Sequence, residues 1–530
     1  MKRFLAILLV VLMLFSFASC GGTNTDDSGN GGGTDNPTPP ESGEVDKYGG
    51  DVVITCFKTY NTVGYPISGS AQGMWLSQPA IERLGRYNSE GGVDGWLAKE
   101  IKTDPENLKV VITLNEGIKY HNGDDFNAQA VCDVWQFYID DVTGAGNFEA
   151  VDSFSATGEY EVTVNLKYWS NDIVVKLCVL AGEMLSPTAI KELGAETLKT
   201  TIIGTGPFVC ESYDVTGGIK YVKNENYWRE GEPYLDSIEI IFHEEMNAGV
   251  NILKSHEANL GYGVDFEKVK ELVASGEWNE IHNPSCISPT FYGIMYCSGD
   301  PNEPVSDLRV RQAISHAIDK QSLFEAFALG YGQLATQLAV TGSREWNKNV
   351  PGFDYDVDKA KELLKEAGYE EGECKLTFYY SAREEDLFVA IKDMLEKAGF
   401  VVEGDNRTGQ ESRARVGTSD PYTCMMICYA PTTAPDWWRW YSDNPVSYVV
   451  NTIDLSAYRE AYKTAMTATD PAVEREALDR LQMLGYEDCL YTPLWHQSVL
   501  VAVNDGTVFD TGIGEYYHLQ WTPELMWKSK

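Results

Sequence analysis

From Gly49 to the C-terminus, short strand-like runs alternate with amphipathic helical patterns along the chain. Asp51–Phe57 is typical of a strand, whereas residues 127–138 place four large apolar side chains on one helical stripe. This alternation predicts a mixed α/β architecture. About 480 residues take part, which is more than one hydrophobic core usually covers, so the sequence predicts two or three lobes.

The same two periodicities predict further elements. They indicate strands at residues 110–114 and 208–213, a strand pair over 154–166, helices over 307–327, 358–367 and 471–484, and a strand-like stretch over 492–503. We expect Ser306 to cap the first of these helices and Gly368 to follow the end of the second. Serine is a preferred N-cap residue, and glycine is preferred just past a helix C-terminus.

A glycine-rich turn, Gly204-Thr205-Gly206-Pro207, precedes the strand at 208–213. It differs from a phosphate-binding loop, because no Lys-Ser or Lys-Thr follows and the next element is a strand rather than a helix. We expect the two glycines to adopt positive φ angles and to allow a close backbone crossing where two lobes meet.

The first twenty residues are typical of an exported bacterial lipoprotein. Lys2 and Arg3 precede an apolar run that is too short to span a bilayer, and Phe17-Ala18-Ser19-Cys20 resembles a lipobox with Cys20 as the lipidated residue. The alternative is a plain secreted protein in which Cys20 is incidental. Residues 21–47 contain almost no apolar side chains, so we expect a disordered tether with a reach of roughly 25 to 30 Å.

Composition narrows the range of partners. The 42 Lys and Arg residues face 79 Asp and Glu, and the net charge of −37 disfavours nucleic acid and anionic membrane surfaces. Solubility outside the cell is the preferred explanation of the acidity. Thirteen Trp and thirty Tyr exceed the needs of a core, and these residue types line binding clefts. Ten cysteines besides Cys20 lack the spacing of a disulfide framework, and we expect most to be buried thiols.

The sequence contains no recognisable catalytic or metal-binding motif. His243-Glu244 begins like a zinc protease helix, but the second histidine is missing. No Gly-x-Ser-x-Gly elbow occurs, and the seven histidines have no ligand spacing. We therefore expect no enzymatic activity, no cofactor and no metal. A secreted glycoside hydrolase stays a remote alternative, because its two carboxylates leave no spacing pattern.

Four segments stand out by their order and spacing. They are residues 119–131 (KYHNGDDFNAQAV), 204–208 (GTGPF) followed by 224–228 (NENYW), 306–320 (SDLRVRQAISHAIDK) and 491–494 (YTPL). Together they resemble the large, family 5 solute-binding proteins of peptide-type (oligopeptide and dipeptide) bacterial ABC importers. The third segment is the most specific, and the resemblance covers the chain from about residue 47 to its end.

The resemblance implies an α/β protein with a two-lobed periplasmic-binding-protein-like fold, of type II and the large class, with an extra domain inserted in the first lobe. It implies a lipoprotein signal peptide at 1–20, a tether at 21–47, lobe I at 48–78, 200–285 and 495–530, the extra domain at 79–199, and lobe II at 286–494. Two crossing strands are expected to join the lobes.

The resemblance also implies how a peptide is held. Binders of this family hold the peptide's amino terminus with a buried Asp that lies three residues before an acidic residue-Pro step. Here that step is Ala434-Pro435, so the matching residue is Pro431, which offers neither charge nor donor. The amine anchor is missing unless the alignment shifts and Asp436 replaces it.

The same segment is rich in aromatic residues. Trp437, Trp438 and Trp440 suit stacking on sugar rings, and some members of this family bind oligosaccharides. For any one of these tryptophans, the alternative is packing into the lobe core. We include Tyr429 and Arg439 from this segment among the ligand-binding candidates.

Two weaker candidates lie elsewhere in the chain. The Arg415 guanidinium is suited to bind a ligand carboxylate, although a solvated surface position is the alternative. Trp75 lies in the first long loop, where members of the family place cleft residues, and a packing role is its alternative.

These observations predict a lipid-anchored substrate-binding subunit of an ABC importer, located on the extracytoplasmic face of the cell membrane. We expect a monomer that captures an oligopeptide or similar solute between its lobes and delivers it to the permease and ATPase subunits. Ligand contacts made to both lobes would favour the closed state. An oligosaccharide-binding member of the same family is the main alternative.

Overall fold

The computed structural model describes residues 46–58, 62–65, 71–88, 91–141, 144–281, 290–296, 302–380, 384–407, 424–429, 454–498, 502–513 and 520–530. For residues 71, 72, 246 and 424–429 it describes the backbone alone. Strands are numbered β1 to β21, and helices α1 to α12, along this part of the chain.

Most strands form three sheets. The seven-stranded sheet has the spatial order β12 (Asn279–Ile281), β19 (Ala502–Asn504), β11 (Leu260–Tyr262), β1 (Asp51–Phe57), β10 (Ser237–His243), β9 (Gly218–Lys223), β8 (Phe208–Asp214). The six-stranded sheet has the order β14 (Gly332–Leu334), β18 (Tyr491–Gln497), β13 (Thr290–Tyr296), β17 (Cys424–Tyr429), β15 (Lys375–Tyr380), β16 (Val401–Asn406). The four-stranded sheet has the order β4 (Ala98–Asp104), β5 (Lys109–Leu114), β7 (Glu161–Leu166), β6 (Val151–Gly158).

Two short strand pairs and the helices complete the described secondary structure. The pairs are β2 (Gly85–Tyr87) with β3 (Val93–Gly95) and β20 (Val508–Phe509) with β21 (Trp527–Lys528). The helices are α1 (Ala71–Ser77), α2 (Ala128–Asp140), α3 (Ile173–Val175), α4 (Pro187–Leu198), α5 (Met246–Lys254), α6 (Phe266–Ala274), α7 (Leu308–Ala317), α8 (Lys320–Leu323), α9 (Val357–Glu366), α10 (Glu385–Lys397), α11 (Ser456–Thr467) and α12 (Pro471–Glu487).

Local chemistry explains why these elements begin and end where they do. The Asn127 side chain accepts a hydrogen bond from the Ala130 backbone N–H and caps α2, whose buried stripe includes Val131 and Trp135 as predicted. β7 alternates buried and exposed residues, as expected for a strand with one face on a core. Gly368, at φ +94°, follows the end of α9 as predicted.

The long helix predicted over 307–327 is wrong in two respects. Asp307 rather than Ser306 caps α7, because the Asp307 side chain accepts from the Arg309 N–H while Ser306 lies in a 3₁₀ turn. The helix also breaks at Ile318, and a π-helical turn at Phe324–Ala328 follows α8. The strand-like stretch over 492–503 divides in the same way, since it supplies β18 to one sheet and β19 to another.

The hydrophobic cores group the sheets into two lobes. One core cluster contains Val52, Val110 and Ala502, so the seven-stranded and four-stranded sheets share an interior. Two further clusters draw only on residues 291–495 around the six-stranded sheet. We call residues 46–281 and 502–530 the first lobe and residues 290–498 the second lobe. The finer domain boundaries given above stay predictions.

The glycine-rich turn crosses another part of the backbone, as predicted. The Gly206 N–H donates to the Ala80 carbonyl at 3.0 Å, and a Cβ at Gly206 would lie 2.5 Å from the Pro79 carbonyl oxygen. Neither Gly204 nor Gly206 has a positive φ angle, so that part of the prediction is wrong. The crossing also lies within the first lobe and not between lobes, and it is the absence of a Cβ that the site requires.

A buried carboxylate holds the same region together. Glu82 accepts hydrogen bonds from Thr205 Oγ1 at 2.9 Å, Tyr227 Oη at 2.7 Å and Trp228 Nε1 at 3.0 Å. Trp96 Nε1 donates a fourth at 2.8 Å. Burial raises the pKa of Glu82, and the donors act against that shift. The NENYW segment therefore has a structural role.

Candidate functional site

The parallel strands of the first lobe end along one edge of the seven-stranded sheet. β1 runs parallel to β10 and β11, with Phe57 opposite His243 and Cys56 opposite Tyr262. β19 is antiparallel to β11 and β12, which brings Ala502 opposite Ile281 at this edge. In open α/β sheets, ligands bind in the crevice outside the carboxyl ends of the strands. This edge is therefore the candidate binding edge of the first lobe.

The second lobe has an equivalent edge. β15 runs parallel to β16 and β17, so their carboxyl ends, at Tyr380, Asn406 and Tyr429, lie at the same end of the sheet. β13 and β18 are antiparallel neighbours in this sheet, and Thr290 pairs with Gln497 at that same end. The carboxyl edge of the second lobe is thus also the end where the chain enters and leaves the lobe.

Short connections bring the two edges together. The chain passes from Ile281 to Thr290 into the second lobe and from Gln497 to Ala502 back into the first. The second connection has four residues, 498–501, so its five Cα–Cα steps reach at most about 18 Å when fully extended. Both carboxyl edges therefore lie next to the two crossings, in the arrangement that hinged ligand-binding proteins use.

Trp75 lies at this edge of the first lobe. Its ring is fully buried and stacks on Tyr262, with centroids 3.6 Å apart, and on Trp521, with centroids 4.8 Å apart. Trp521 Nε1 also donates to the Trp75 carbonyl at 3.0 Å. Among the described residues the Trp75 indole N–H has no acceptor. The ring has a packing role here, and its predicted role in ligand binding stays a prediction.

Tyr429 is the last residue of β17, directly at the carboxyl edge of the second lobe. Its backbone pairs with Phe291, the second residue of β13. The other predicted site residues lie outside the described residues: Arg415, Asp436, Trp437, Trp438, Arg439, Trp440 and the predicted lipidation site Cys20. Their roles stay predictions, as does that of the Tyr429 side chain.

His243 is the last residue of β10 at the same edge, and its ring packs against α5, the helix that follows in the chain. Nδ1 donates to the Glu245 carbonyl at 3.1 Å, and a Cβ added at Gly249 would overlap the ring. Burial lowers the pKa of His243, which keeps the imidazole neutral near pH 7. No group of three or more His, Cys, Asp or Glu side chains in the described ranges is placed to hold a metal ion.

The sequence did not single out Tyr262, although its ring forms the closest aromatic contact of Trp75. The only local indication is its place at the end of the short strand Leu260–Tyr262. Within the described residues Cys56, Cys132, Cys178, Cys210, Cys374 and Cys489 form no disulfide, and all but Cys210 are buried. In the described part of the chain, no helix combines the length and apolar character that a membrane span requires.

Comparison with known proteins extends this description. The sequence model for bacterial extracellular solute-binding proteins, family 5 (middle), matches residues 92–448. The glutathione-binding protein GsiB of Pectobacterium atrosepticum is 27% identical over 330 residues, which are 61% of this chain and 62% of GsiB. The match thus spans less than two thirds of the length of that relative.

Solved structures share the fold at low sequence identity. The substrate-binding protein CtaP of Listeria monocytogenes superposes with a TM-score of 0.79 at 18% identity, covering 91% of this chain and 100% of CtaP. The oligopeptide-binding protein AppA of Bacillus subtilis, in complex with a nonapeptide, gives 0.72 at 21% identity, covering 91% and 100%. The predicted two-lobed α/β fold is confirmed.

Proposed function

The chain belongs to the family 5 bacterial extracellular solute-binding proteins, and from this premise we propose that it is the substrate-binding subunit of an ABC importer. It captures an oligopeptide or similar solute between its lobes and delivers it to the permease. The family is one of transport proteins rather than enzymes. The resemblance drawn from the four motifs is therefore confirmed.

The observation that carries the proposal is the meeting of two carboxyl edges at the crossings. Strand ends at Phe57 and Tyr262 in the first lobe and at Tyr429 in the second border the same connections. A solute held there contacts both lobes only when they are close together. Such contacts exist in the closed state alone, so binding shifts the population toward closure.

A peptide is the preferred solute. Its backbone can pair with strand edges whatever its sequence, which gives broad affinity. The matched relative GsiB is a glutathione-binding protein, and AppA was solved with a nonapeptide. An oligosaccharide is the second candidate. It is favoured by Trp437, Trp438 and Trp440, and by Pro431 at the position that matches the amine-anchoring Asp, unless Asp436 replaces that anchor.

The remaining parts of the proposal concern location and partners. Lipidation of Cys20 anchors the protein to the extracytoplasmic face of the membrane, and residues 21–47 tether the lobes within reach of the permease and ATPase subunits. The protein acts as a monomer without a cofactor. The lipobox-like Phe17-Ala18-Ser19-Cys20 and the polar segment after it support this arrangement.

The test is a thermal-shift screen of the purified protein against short peptides, glutathione and oligosaccharides, followed by calorimetry. A ligand that binds only the native state raises the unfolding temperature. We expect one-to-one binding of a peptide or glutathione, weakened in Tyr429→Ala and unchanged in Tyr355→Ala, since Tyr355 is a surface tyrosine with 52% exposure.

Two other outcomes contradict the proposal in different ways. Binding of glycans with silence from every peptide assigns the protein to the oligosaccharide alternative. If the purified protein hydrolyses a glycan, and heating the protein abolishes that activity, a glycoside hydrolase replaces the binding function.

A further inference from the structure

Contacts join the two lobes in two regions of the described chain. The first lies at the crossing itself, where Tyr331 of the second lobe donates to Glu280 of the first at 2.8 Å and packs on Phe266 with ring centroids 4.8 Å apart. Glu280 directly precedes Ile281, the last residue before the first connection. A contact this close to the crossing moves little when the lobes rotate about it.

The second contact joins Asn171 of the first lobe to the carboxyl end of α11 in the second. The Asn171 Nδ2 donates to the carbonyls of Ala465 at 2.8 Å and Ala468 at 3.0 Å, and its backbone N–H donates to the Met466 carbonyl at 2.8 Å. The last carbonyls of a helix have no partner within the helix, so donors from outside satisfy them. Here the donors come from the other lobe.

The orientation of the Asn171 amide is fixed before it meets the helix. Trp169 Nε1 donates to Asn171 Oδ1 at 2.6 Å, which directs Nδ2 toward α11. The neighbouring Ser170 hydroxyl donates a hydrogen bond to the Asp172 carboxylate, and Lys176 forms a salt bridge with the same carboxylate at 2.9 Å. Residues 169–172 therefore form a preorganised loop with one amide presented to the second lobe. We call this loop the latch.

The latch has open space beside it. A groove of about 610 Å³ separates residues 102–111 of the first lobe from Thr469, the residue after Ala468. Polar contacts thus hold the lobes together here, with a gap rather than a packed apolar seam alongside. Three hydrogen bonds of ordinary net strength favour one arrangement of the lobes by a moderate factor and still allow it to open.

From these contacts we infer that Asn171 is a closure latch, which sets the balance between open and closed lobes before any solute binds. The inference deepens the proposed function, because a protein whose binding-competent state is only partly populated has a proportionally weaker apparent affinity. Asn171 then tunes the affinity for every solute by the same factor. It does so without contacting the solute, so the order of preference among solutes is unaffected.

The test begins with the ligand-free, full-length protein. Asn171→Asp replaces the donor with a carboxylate that faces helix carbonyls at the negative end of α11. We expect at least a tenfold faster amide hydrogen exchange at residue 171 and a larger radius of gyration by small-angle scattering. Asn165→Asp is the matched control, since Asn165 is an exposed residue of β7 whose side chain, among the described residues, bonds only Ser153 within its own lobe.

A second variant provides an independent test of the latch in case Asn171→Asp does not fold. Trp169→Phe leaves Asn171 in place and keeps an aromatic ring, but it removes the indole N–H that orients the Asn171 amide, so we expect the same changes at reduced size. Far-ultraviolet circular dichroism and thermal unfolding check that each variant is folded. Equal exchange and equal radius of gyration in Asn171→Asp and Asn165→Asp would overturn the inference.

Affinity measurements with a solute distinguish this inference from the proposed function. For any solute found in the screen, Asn171→Asp should weaken affinity about tenfold, with the order of preference among solutes retained. A changed order places Asn171 in the binding site and overturns the latch. If no solute binds the unmodified protein, the proposed function fails, whereas the ligand-free measurements still decide the latch.

Discussion

Trp75 lies flat on Tyr262, with the ring centroids 3.6 Å apart and the planes inclined by 22°, at the carboxyl end of β11. Because the indole is fully buried, Trp75→Ala should lower the free energy of unfolding by about 3–5 kcal/mol. Trp75→Phe keeps an aromatic ring in the stack and should lose clearly less. Denaturant titration followed by circular dichroism measures both.

The same pair of variants separates packing from ligand binding. Trp75→Phe removes the indole N–H, which has no acceptor among the described residues. Equal solute affinity in Trp75→Phe and the unmodified protein restricts Trp75 to packing. A loss of affinity without a loss of stability supports the ligand-binding role predicted from the sequence.

Gly204 should tolerate no side chain. A Cβ there would overlap the carbonyl oxygen of Ala80, which is backbone and cannot move aside without shifting the strand that follows. Gly204→Ala should therefore lower the unfolding temperature strongly or prevent folding. Gly146→Ala is the control, because a Cβ at Gly146 meets nothing within 4 Å, and it should leave stability unchanged or slightly raised. Equal stability of Gly204→Ala and Gly146→Ala would contradict the close backbone crossing at Gly204.

His496 should make the protein less stable in mild acid. Burial lowers the pKa of His496 from 6.5 to about 4, while its Nε2 donates to the Leu338 carbonyl at 3.1 Å. Between these two pH values the unfolded chain binds a proton that the folded protein excludes, so stability is complete above pH 6.5 and falls as the pH decreases. From pH 7 to pH 5 the loss should be about 2 kcal/mol.

The measurement compares unfolding free energies at pH 7 and pH 5. His496→Gln, which retains an amide donor for Leu338, should show a pH dependence smaller by that amount. His256→Gln changes an exposed histidine and serves as the control. An unchanged pH dependence in His496→Gln would show that other groups carry it.

Cys20 should determine where the protein is found. Cys20→Ala removes the thiol that accepts the lipid, so the protein should move from the membrane fraction to the soluble extracytoplasmic fraction. Ser19→Ala keeps a small residue before the cysteine and should stay with the membrane. Fractionation with immunoblotting measures both, and membrane retention of Cys20→Ala contradicts lipidation at this residue.

The sequence predicted those features that neighbouring residues determine. The apolar stripe of α2 and the strand β1 follow from residues a few positions apart. The prediction of Ser306 as the cap failed, because Asp307 is an equally good cap residue and Ser306 lies in the preceding 3₁₀ turn.

Contacts between distant parts of the chain were beyond sequence reasoning. The latch joins Asn171 to Ala465, 294 positions away, and nothing in the neighbouring sequence distinguishes Asn171 from other asparagines. The burial of Trp75 depends likewise on Tyr262 and Trp521, which only the folded sheet brings to the same edge. The resemblance to a family gave the fold, because it contains these long-range contacts implicitly.

The division of residues 491–504 between two sheets has a consequence for incomplete chains. β18 lies inside the six-stranded sheet, between β14 and β13, and β19 lies inside the seven-stranded sheet, between β12 and β11. A chain that ends before Tyr491 lacks an inner strand in both lobes at once. In such a chain both sheets are interrupted, so strands of each lobe are left unpaired. Products of premature termination should therefore be degraded by proteases in both lobes.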